Sequence, residues 1–321
     1  MRPPLDCTLQ ISLAPSDYEH AKYLLPHQIA ALGTQVDEVL LTIDSKRSRG
    51  RFGENWNENQ EKLNDLINTL QKTSPNIRKE IVDYSTGTRQ AISKLFFEGS
   101  LIPDKDFRGG PFYSYFFGLY KASSKYVFHI DSDIFLGGGS QTWVAEALDM
   151  FHRSDTIFLV SPLPGPPHPE EKLVDQIILE KTGRFSFALK GMSTRVYLLN
   201  KEIFNKAKLT LQKPSLRNQI KALVEGNSNA DLPEHLIWNF MDKHRLRRID
   251  FLGIEPGLFT LHPPYRTRDF YKQIPDLLDK IQNSEFPTSQ YGFYDIVDEL
   301  VDWTEAKDRI KENRWWKRLI K

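Results

Sequence analysis

The stretch KYVFHIDSDIFLGGG, residues 125–139, ends an apolar run on two carboxylates, Asp131 and Asp133, and then on three glycines. In an extended chain residues i and i+2 project from one face, so these two side chains converge while Ser132 turns away. Carboxylates that close raise each other's pKa unless a cation lies between them. A hard divalent ion such as Mg2+ or Mn2+, bound through oxygen, relieves the conflict. An ordinary solvated turn, with one Asp capping the following helix, would use the same residues. The context favours chemistry. Tyr126 to Ile130 reads as a strand covered on both faces, and open α/β sheets bind ligands beyond the carboxyl ends of their strands.

The elements that must position this pair follow from the rest of the chain. CTLQISLAP reads as a first strand, stopped by Pro15. SDYEHAKYLLPHQIAALG reads as a helix capped by Ser16 or Asp17 and ended by Gly33, with Pro26 predicting a kink or break. VDEVLLTID is a second strand ending on Asp44, and IRKEIVDYS a third ending near Asp83; ENQEKLNDLINTLQKT, between them, has helical spacing. A polar, Gly-containing connection then leads to GGPFYSYFFGLYKASS, a buried helix. This alternation predicts a parallel sheet with right-handed crossovers. Pro15, Asp44, Asp83 and the Asp131–Asp133 pair would then share one rim. Any one of them reads as a loop residue or cap; together they form a candidate site.

Further on, QTWVAEALDMFHR is predicted helical, TIFLVSPL a strand, SPLPGPPHPEE a stiff loop and EKLVDQIILEK a helix. RFSFALKGMSTRVYLLNKEIF reads as two strands and a helix start at Asn200. LPEHLIWNFMDKHRL is a helix with Pro233 in its first turn. RRIDFLGIEPGLFTLHPPYR returns to strand and ends at His262. The last fifty residues read as helical and charged. There is no internal repeat.

Composition narrows the function classes. Of 321 residues, 26% are charged and 40% apolar, an ordinary globular mix, and a net charge of +1 gives no global field for nucleic acid. The one cysteine, Cys7, rules out an intramolecular disulfide framework or a cysteine-cluster metal site. No signal-peptide core and no run near ~18 apolar residues is found. The expectation is a cytoplasmic protein. DWTEAKDRIKENRWWKRLIK at the end is amphipathic, basic and Trp-rich; it could lie on an anionic membrane surface, on its own domain or on a second subunit. DKHRLRR reads as a solvated helix end whose cations complement the helix dipole. Trp56, Phe112, Tyr113 and Tyr115 could stack on sugar rings, although most aromatics in such a chain are core.

With this order in hand, the chain resembles the GT-A nucleotide-diphospho-sugar glycosyltransferases, in particular the broad family 2 group. The residues that carry the resemblance are VDEVLLTID, GLYKASSKYVFHIDSDIF, RVYLLNKEIF, LPEHLIWNFMDKHRLRRIDFLG and LHPP, over roughly residues 8–265. The resemblance implies a GT-A-type, Rossmann-like, mostly parallel sheet over residues 1–270 with a helical extension over 271–321. It implies a metal-dependent glycosyl transfer to an acceptor hydroxyl, a glycan-biosynthesis role, and a nucleotide-sugar donor. The acceptor would be a glycan, lipid-linked or small molecule, with no nucleic acid involved.

By the same resemblance Asp131 and Asp133 hold the metal, with Ser132 between them in the donor site, and His262 completes the shell. An imidazole can supply a ligand where two carboxylates leave coordination open. Asp44 and Asp83 would bind base and ribose, with Ala14 and Pro15 against the base. Arg108, with Gly109 and Gly110, could bring a guanidinium and backbone N–H groups to a phosphate. The family's base belongs to a Glu-Asp pair at a helix start; here the stretch is ADLPEHLIW, so Glu234, Asp231 or His235 is the candidate, with His235 standing where Asp is usual. Asp231 and Glu234 would equally serve as a capping box. LAPSDY also lacks the Pro-x-Tyr-Asn pattern common in the family. Two rival functions remain. A sugar-nucleotide nucleotidyltransferase usually carries a Gly-rich, basic loop after the first strand, which LAPSDYEHAKYLL lacks. A non-catalytic nucleotide- or glycan-binding relative fits the irregular base position.

Overall fold

The computed structural model describes residues 5–312. The first half runs β1 (Cys7–Leu13), α1 (Tyr18–Leu32), β2 (Glu38–Ile43), α2 (Trp56–Thr73), β3 (Ile77–Ile81), α3 (Thr86–Phe97), α4 (Tyr113–Lys121) and β4 (Tyr126–Asp131). The second half runs β5 (Phe135–Gly137), α5 (Trp143–Arg153), β6 (Ile157–Pro164), β7 (Ile178–Gly183), β8 (Ser186–Leu189), β9 (Val196–Asn200), α6 (Lys201–Lys206), α7 (Leu216–Glu225), α8 (Pro233–Lys243), β10 (Arg247–Phe251), β11 (Phe259–Leu261), α9 (Arg268–Gln282) and α10 (Thr304–Glu312).

The strands form one mixed sheet in the order β3-β2-β1-β4-β9-β6-β10-β8-β7, with β11 joined to the end of β6 and β5 joined to β11. β3, β2, β1 and β4 are parallel neighbours; β9 runs antiparallel between β4 and β6, and β6 pairs parallel with β10. This is a GT-A-type, Rossmann-like arrangement, and it matches the fold read from the sequence. Helices cover both faces. Leu9, Ile11, Val39, Leu41 and Phe128 pack on the side of α1, α2 and α5, while Leu40 and Val127 pack with the aromatic residues of α3 and α4. That double burial is why β1, β2 and β4 read as largely apolar runs, while β3, IRKEI at the sheet edge, is only partly buried.

Several elements differ from the sequence reading. α1 is continuous through Pro26, which sits inside it. The connection after β3 contains α3, capped by Ser85, whose side chain accepts from Thr88 N–H, and buried through Ile92, Phe96 and Phe97. EKLVDQIILEK is not a helix: β7 begins at Ile178 near its end, runs past it to Gly183 and forms an edge hairpin with β8. An edge strand paired on one side buries no face of its own, so its apolar spacing carried no period to read. Trp56, Phe112, Tyr113 and Tyr115 are all buried core residues. Of the last fifty residues, the described ones are helical only in part. Between α9 and α10 lies a non-helical stretch with one short 3-10 turn at Thr288–Gln290. α9 shares a core cluster with Phe135, Leu163, Leu261 and Trp303. The Trp315–Trp316 end of the basic C-terminal stretch lies outside the described residues.

DKHRLRR is likewise not wholly a solvated end. Arg248 and Asp250, at i and i+2 on β10, are both buried and bonded to each other, with Nε to Oδ1 at 2.6 Å. Removing one member of a buried pair strands the other charge, at ~3–5 kcal/mol, whereas replacing both by apolar residues is often neutral. Urea denaturation should therefore show Arg248→Ala losing about 3 kcal/mol or more, and Arg248→Met with Asp250→Leu losing far less.

Candidate functional site

The carboxyl ends of β1, β2, β3 and β4 stand in register. Ser12 pairs with Asp131, Leu13 with Ile43, and Ile43 with Ile81. Neighbouring strands lie about 4.8 Å apart, so Asp44 sits about 10 Å from the end of β4 and Asp83 about 14 Å, on one rim. Ala14 and Pro15 lie between Asp44 and the end of β4, where β1 passes into a 3-10 turn.

Beneath the rim a line of polar side chains crosses one sheet face. Gln10 Nε2 donates to Thr42 Oγ1 at 2.7 Å, Gln10 Oε1 meets His129 Nδ1, and His129 Nε2 meets Asp131 Oδ1 at 3.3 Å. Gly118 of α4 makes room for this line: a Cβ there would fall 2.7 Å from Gln10 Nε2. On the other side α1 turns a buried polar stripe toward the loop after β4. His20 Nε2 bonds Ser132 Oγ at 3.0 Å, Gln28 Nε2 donates to the carbonyls of Asp131 and Ile134, and His27 Nε2 bonds the Leu136 carbonyl at 2.9 Å. Ser132 thus faces α1. The glycines after the motif serve packing. A Cβ on Gly137 would enter the Phe259 ring, and Gly138 has φ +95° against the Gly257 carbonyl.

Asp133 is the centre of the arrangement. Its carboxylate is 1% exposed, and Arg266 donates to Oδ2 from Nε at 2.8 Å and from Nη2 at 2.6 Å. The same guanidinium reaches Asp17 Oδ1 at 3.3 Å, and Asp17 Oδ2 in turn accepts from Ala14 N–H. Burial would raise the Asp133 carboxyl, yet Arg266 above all, then His262, His20 and Arg195, hold it well below the usual carboxylate range. Asp133 Oδ1 is buried with no hydrogen-bond partner.

That bare oxygen, next to the partly exposed Asp131, suits a hard divalent cation, which commonly takes one or two carboxylates and completes its shell with phosphate oxygens and water. Among the described residues no group of three or more His, Cys, Asp or Glu stands ready to hold a metal, so Asp131, Asp133 and His262 are not assembled as a trio. His262 nevertheless lies within the field of Asp133. Its Nδ1 is bonded to Asp295 Oδ1 at 2.8 Å and its ring stacks on Tyr294. A carboxylate on one ring nitrogen is how ligand histidines are usually oriented.

The other candidates separate. Asp44 is nearly buried, accepts from Lys46 N–H and Tyr84 Oη, and has Lys105 at 3.8 Å. Asp83 is exposed and braces the start of α3, accepting from N–H and Oγ of the N-cap Ser85 and from Thr88 Oγ1. The bond from Thr88, then those from Ser85, lower its pKa. Around Arg108 the N–H groups of Arg108 and Gly110 already donate to Asp106 Oδ1, at 2.7 and 3.0 Å, so they are not free for a phosphate. At α8 the N-cap is Leu232, not Asp231. Asp231 Oδ1 accepts from Leu232 N–H and meets His235 Nδ1 at 2.9 Å. Glu234 does not reach back to cap the helix; its nearest partner is Thr194 Oγ1 at 3.5 Å.

Glu234 instead lines a polar cavity of about 290 Å3, together with Arg195, Lys190, Arg248, Asp250 and Tyr294. The cavity lies over the far half of the sheet. Arg195 joins it to the aspartates: Asp131 N–H donates to the Arg195 carbonyl at 2.7 Å, at the start of antiparallel β9. Desolvation would lower the Arg195 pKa, but Tyr294, Asp131, Asp133 and Glu234 together raise it and keep it charged. Arg266, Arg195, His20 and Asp295 were not singled out from the sequence, and Asp17 only as a helix cap, a place it holds at the start of α1. For His20 and Gln28 a signal existed, since two polar residues share the apolar stripe of one helix.

No protein-family model matches the chain, and no curated protein matches it. Solved structures do. A 4-diphosphocytidyl-2C-methyl-D-erythritol synthase from Anaerococcus prevotii is 10% identical with TM-score 0.41, covering 85% of this chain and 98% of that one. TarS of S. aureus in complex with UDP-GlcNAc is 10% identical with TM-score 0.39, covering 88% and 68%. An active-site variant of LgtC is 10% identical with TM-score 0.39, covering 89% and 99%. The fold assignment rests on the strand order and register given above.

His20 yields a pH-dependent stability. It is fully buried, and desolvation lowers its pKa from 6.5 to about 4. Below pH 6.5 the unfolded chain takes a proton that the folded chain refuses. Stability is therefore complete above pH 6.5 and falls as pH drops toward 4, by roughly 3 kcal/mol in all. Denaturation at several pH values should show this slope, and His20→Gln should remove it.

Proposed function

We propose that this protein transfers a glycosyl group from a nucleotide-diphosphate sugar to an acceptor hydroxyl. The observation that carries the reading is Asp133. A buried carboxylate with one bare oxygen stands beside Asp131 at a parallel strand end, with a cavity holding Glu234 across from it. The nucleoside would lie along the rim of β1 to β3, against Ala14 and Pro15, with Asp44 as its polar contact. Asp83 is the weaker candidate there, because α3 uses its carboxylate.

Asp131 and Asp133 would hold a divalent cation, with His262 as a further ligand through its second nitrogen. When bound, the cation neutralises charge developing on the leaving diphosphate. The remaining steps belong to the chain. Arg195 and Arg266 add positive potential where that charge develops. Glu234 takes the proton of the acceptor hydroxyl. The hydroxyl oxygen bonds to the anomeric carbon, and the anomeric carbon–oxygen bond breaks with its electron pair leaving on the diphosphate. Asp231 and His235 bind each other, which favours Glu234 as the base among the three.

Nucleotidyl transfer is the rival chemistry. It is disfavoured because the loop after β1 carries no glycine-rich basic cradle and instead folds Asp17 back onto Ala14 N–H. A screen of nucleotide sugars for metal-dependent hydrolysis separates these chemistries from a purely binding role.

Two outcomes are expected. Asp131→Asn and Asp133→Asn should each abolish metal-dependent nucleotide affinity in calorimetry; unchanged binding in both refutes the assignment. Glu234→Gln should slow transfer by about 100- to 10,000-fold, the usual worth of general-base catalysis, while nucleotide affinity persists. Wild-type rates in Glu234→Gln, with loss in Asp231→Asn or His235→Ala, would move the base to that neighbour.

A further inference from the structure

We infer that the cavity beside Glu234 is an acceptor subsite for an acidic sugar, whose carboxylate or phosphate rests on Arg195 and Lys190. The inference builds on the glycosyl-transfer reading and adds the acceptor's chemical class. The cavity's volume of about 290 Å3 is at the small end for ligand sites, enough for one sugar unit with its charged group.

Its charges do not cancel evenly: once the buried pair is set aside, Lys190 and Arg195 stand against the single carboxylate of Glu234. Arg248 and Asp250 neutralise one another in a buried pair. Asp133 is held by Arg266. Lys190 and Arg195 both line the cavity and are exposed, and among the described residues neither side chain enters an ion pair or hydrogen bond. Arg195 is the better placed, since it lines the cavity and lies within the electrostatic reach of Tyr294, Asp131, Asp133 and Glu234, which keep it charged although desolvation opposes this. A neutral sugar seated here would strip water from a guanidinium and an ammonium and return no charge. A carboxylate or phosphate returns charge-assisted hydrogen bonds, bidentate on the guanidinium. The lining is polar, with Gln176, Ser193 and Thr260 adding donors and acceptors, which does not suit a lipid tail. An acid seated on Lys190 and Arg195 leaves a ring hydroxyl toward Glu234, where its proton goes as the new glycosidic bond forms.

The test uses the full chain without nucleotide or metal, titrated at fixed ionic strength with glucose, glucuronate and glucose 6-phosphate. At least one acidic sugar should bind about 10-fold or more tighter than glucose, the size of a single charge-assisted bond. Preference for glucuronate assigns a carboxylate, and preference for glucose 6-phosphate a phosphate. Arg195→Ala and Lys190→Ala should each lower that affinity by about 10-fold, with Arg195→Lys retaining part of it. Lys190→Glu, at an exposed position, keeps the test available should Arg195→Ala fail to fold. Equal binding of all three sugars, no binding of either acid, or undiminished binding in the Ala variants overturns the inference. Nucleotide affinity is measured separately. Its loss would sink the glycosyl-transfer reading while leaving acidic-sugar binding intact, so the two failures are distinguishable.

Discussion

The structure turns on one ion pair. Asp133 is charged and almost without solvent, a state that costs several kcal/mol unless a counter-charge is built in. Arg266 supplies it from the segment that follows β11, 133 positions along the chain. The same guanidinium binds Asp17 and so fastens the exit of β1 to the exit of β4. Around it, α9 packs Phe270 and Ile274 against Phe135 and Leu163, which holds the arginine's segment in place. Arg266 occupies Oδ2 and leaves Oδ1 bare, so a second cation approaching Asp133 would address a different oxygen. The buried charge is thereby made tolerable without consuming the carboxylate's whole binding capacity.

Around that pair the polar groups are arranged in layers. Gln10, Thr42 and His129 support Asp131 from the sheet face, while His20 and Gln28 support the following loop from α1. Burial lowers the His20 pKa, so near neutral pH it positions Ser132 as an uncharged ring and adds charge beside Asp133 only in acid. His262 is oriented by Asp295 from a third direction. The rim divides into a half over β1 to β3, edged by Asp44 and Tyr84, and a half over β6 and β10, with the cavity. Arg195 stands on the border, because antiparallel β9 begins where β4 ends.

Sequence order exposed the local features of this design. Strand-like runs closed by a proline or an acid gave β1 to β4, and i, i+2 spacing gave the Asp131–Asp133 pair. α3 was passed over although Ser85 and the Ile92–Phe96 spacing announced it, because Thr86, Gly87 and Thr88 read as a loop. β7 was mistaken for a helix, since an exposed edge strand has no buried face to impose period two. Arg266 and Arg195 carried no local signal at all. A lone arginine after a strand or before one becomes informative only when the topology brings it to an aspartate far away. The backbone N–H groups at Arg108 and Gly110 looked available because nothing in the sequence says that Asp106 folds back onto them. Glu234 was separable from Asp231 and His235 only once the latter two were seen to bond each other.

The path of the chain after β11 has a consequence for biosynthesis. Gly165, at the end of β6, is pressed so closely by Phe293 that a Cβ would lie 2.4 Å from its carbonyl oxygen, and His262 bridges to Asp295 just beyond. On a ribosome the sheet strands emerge first and can begin to pair, since chains fold from the N-terminal side as they appear. Asp133 is by then synthesised but lacks its arginine, and His262 lacks its carboxylate. Both partners arrive only with about the final sixth of the described residues. A nascent chain therefore carries the rim of the site long before it can hold the site's charges in place, and ligand affinity would be acquired late, as a property of the nearly finished polypeptide.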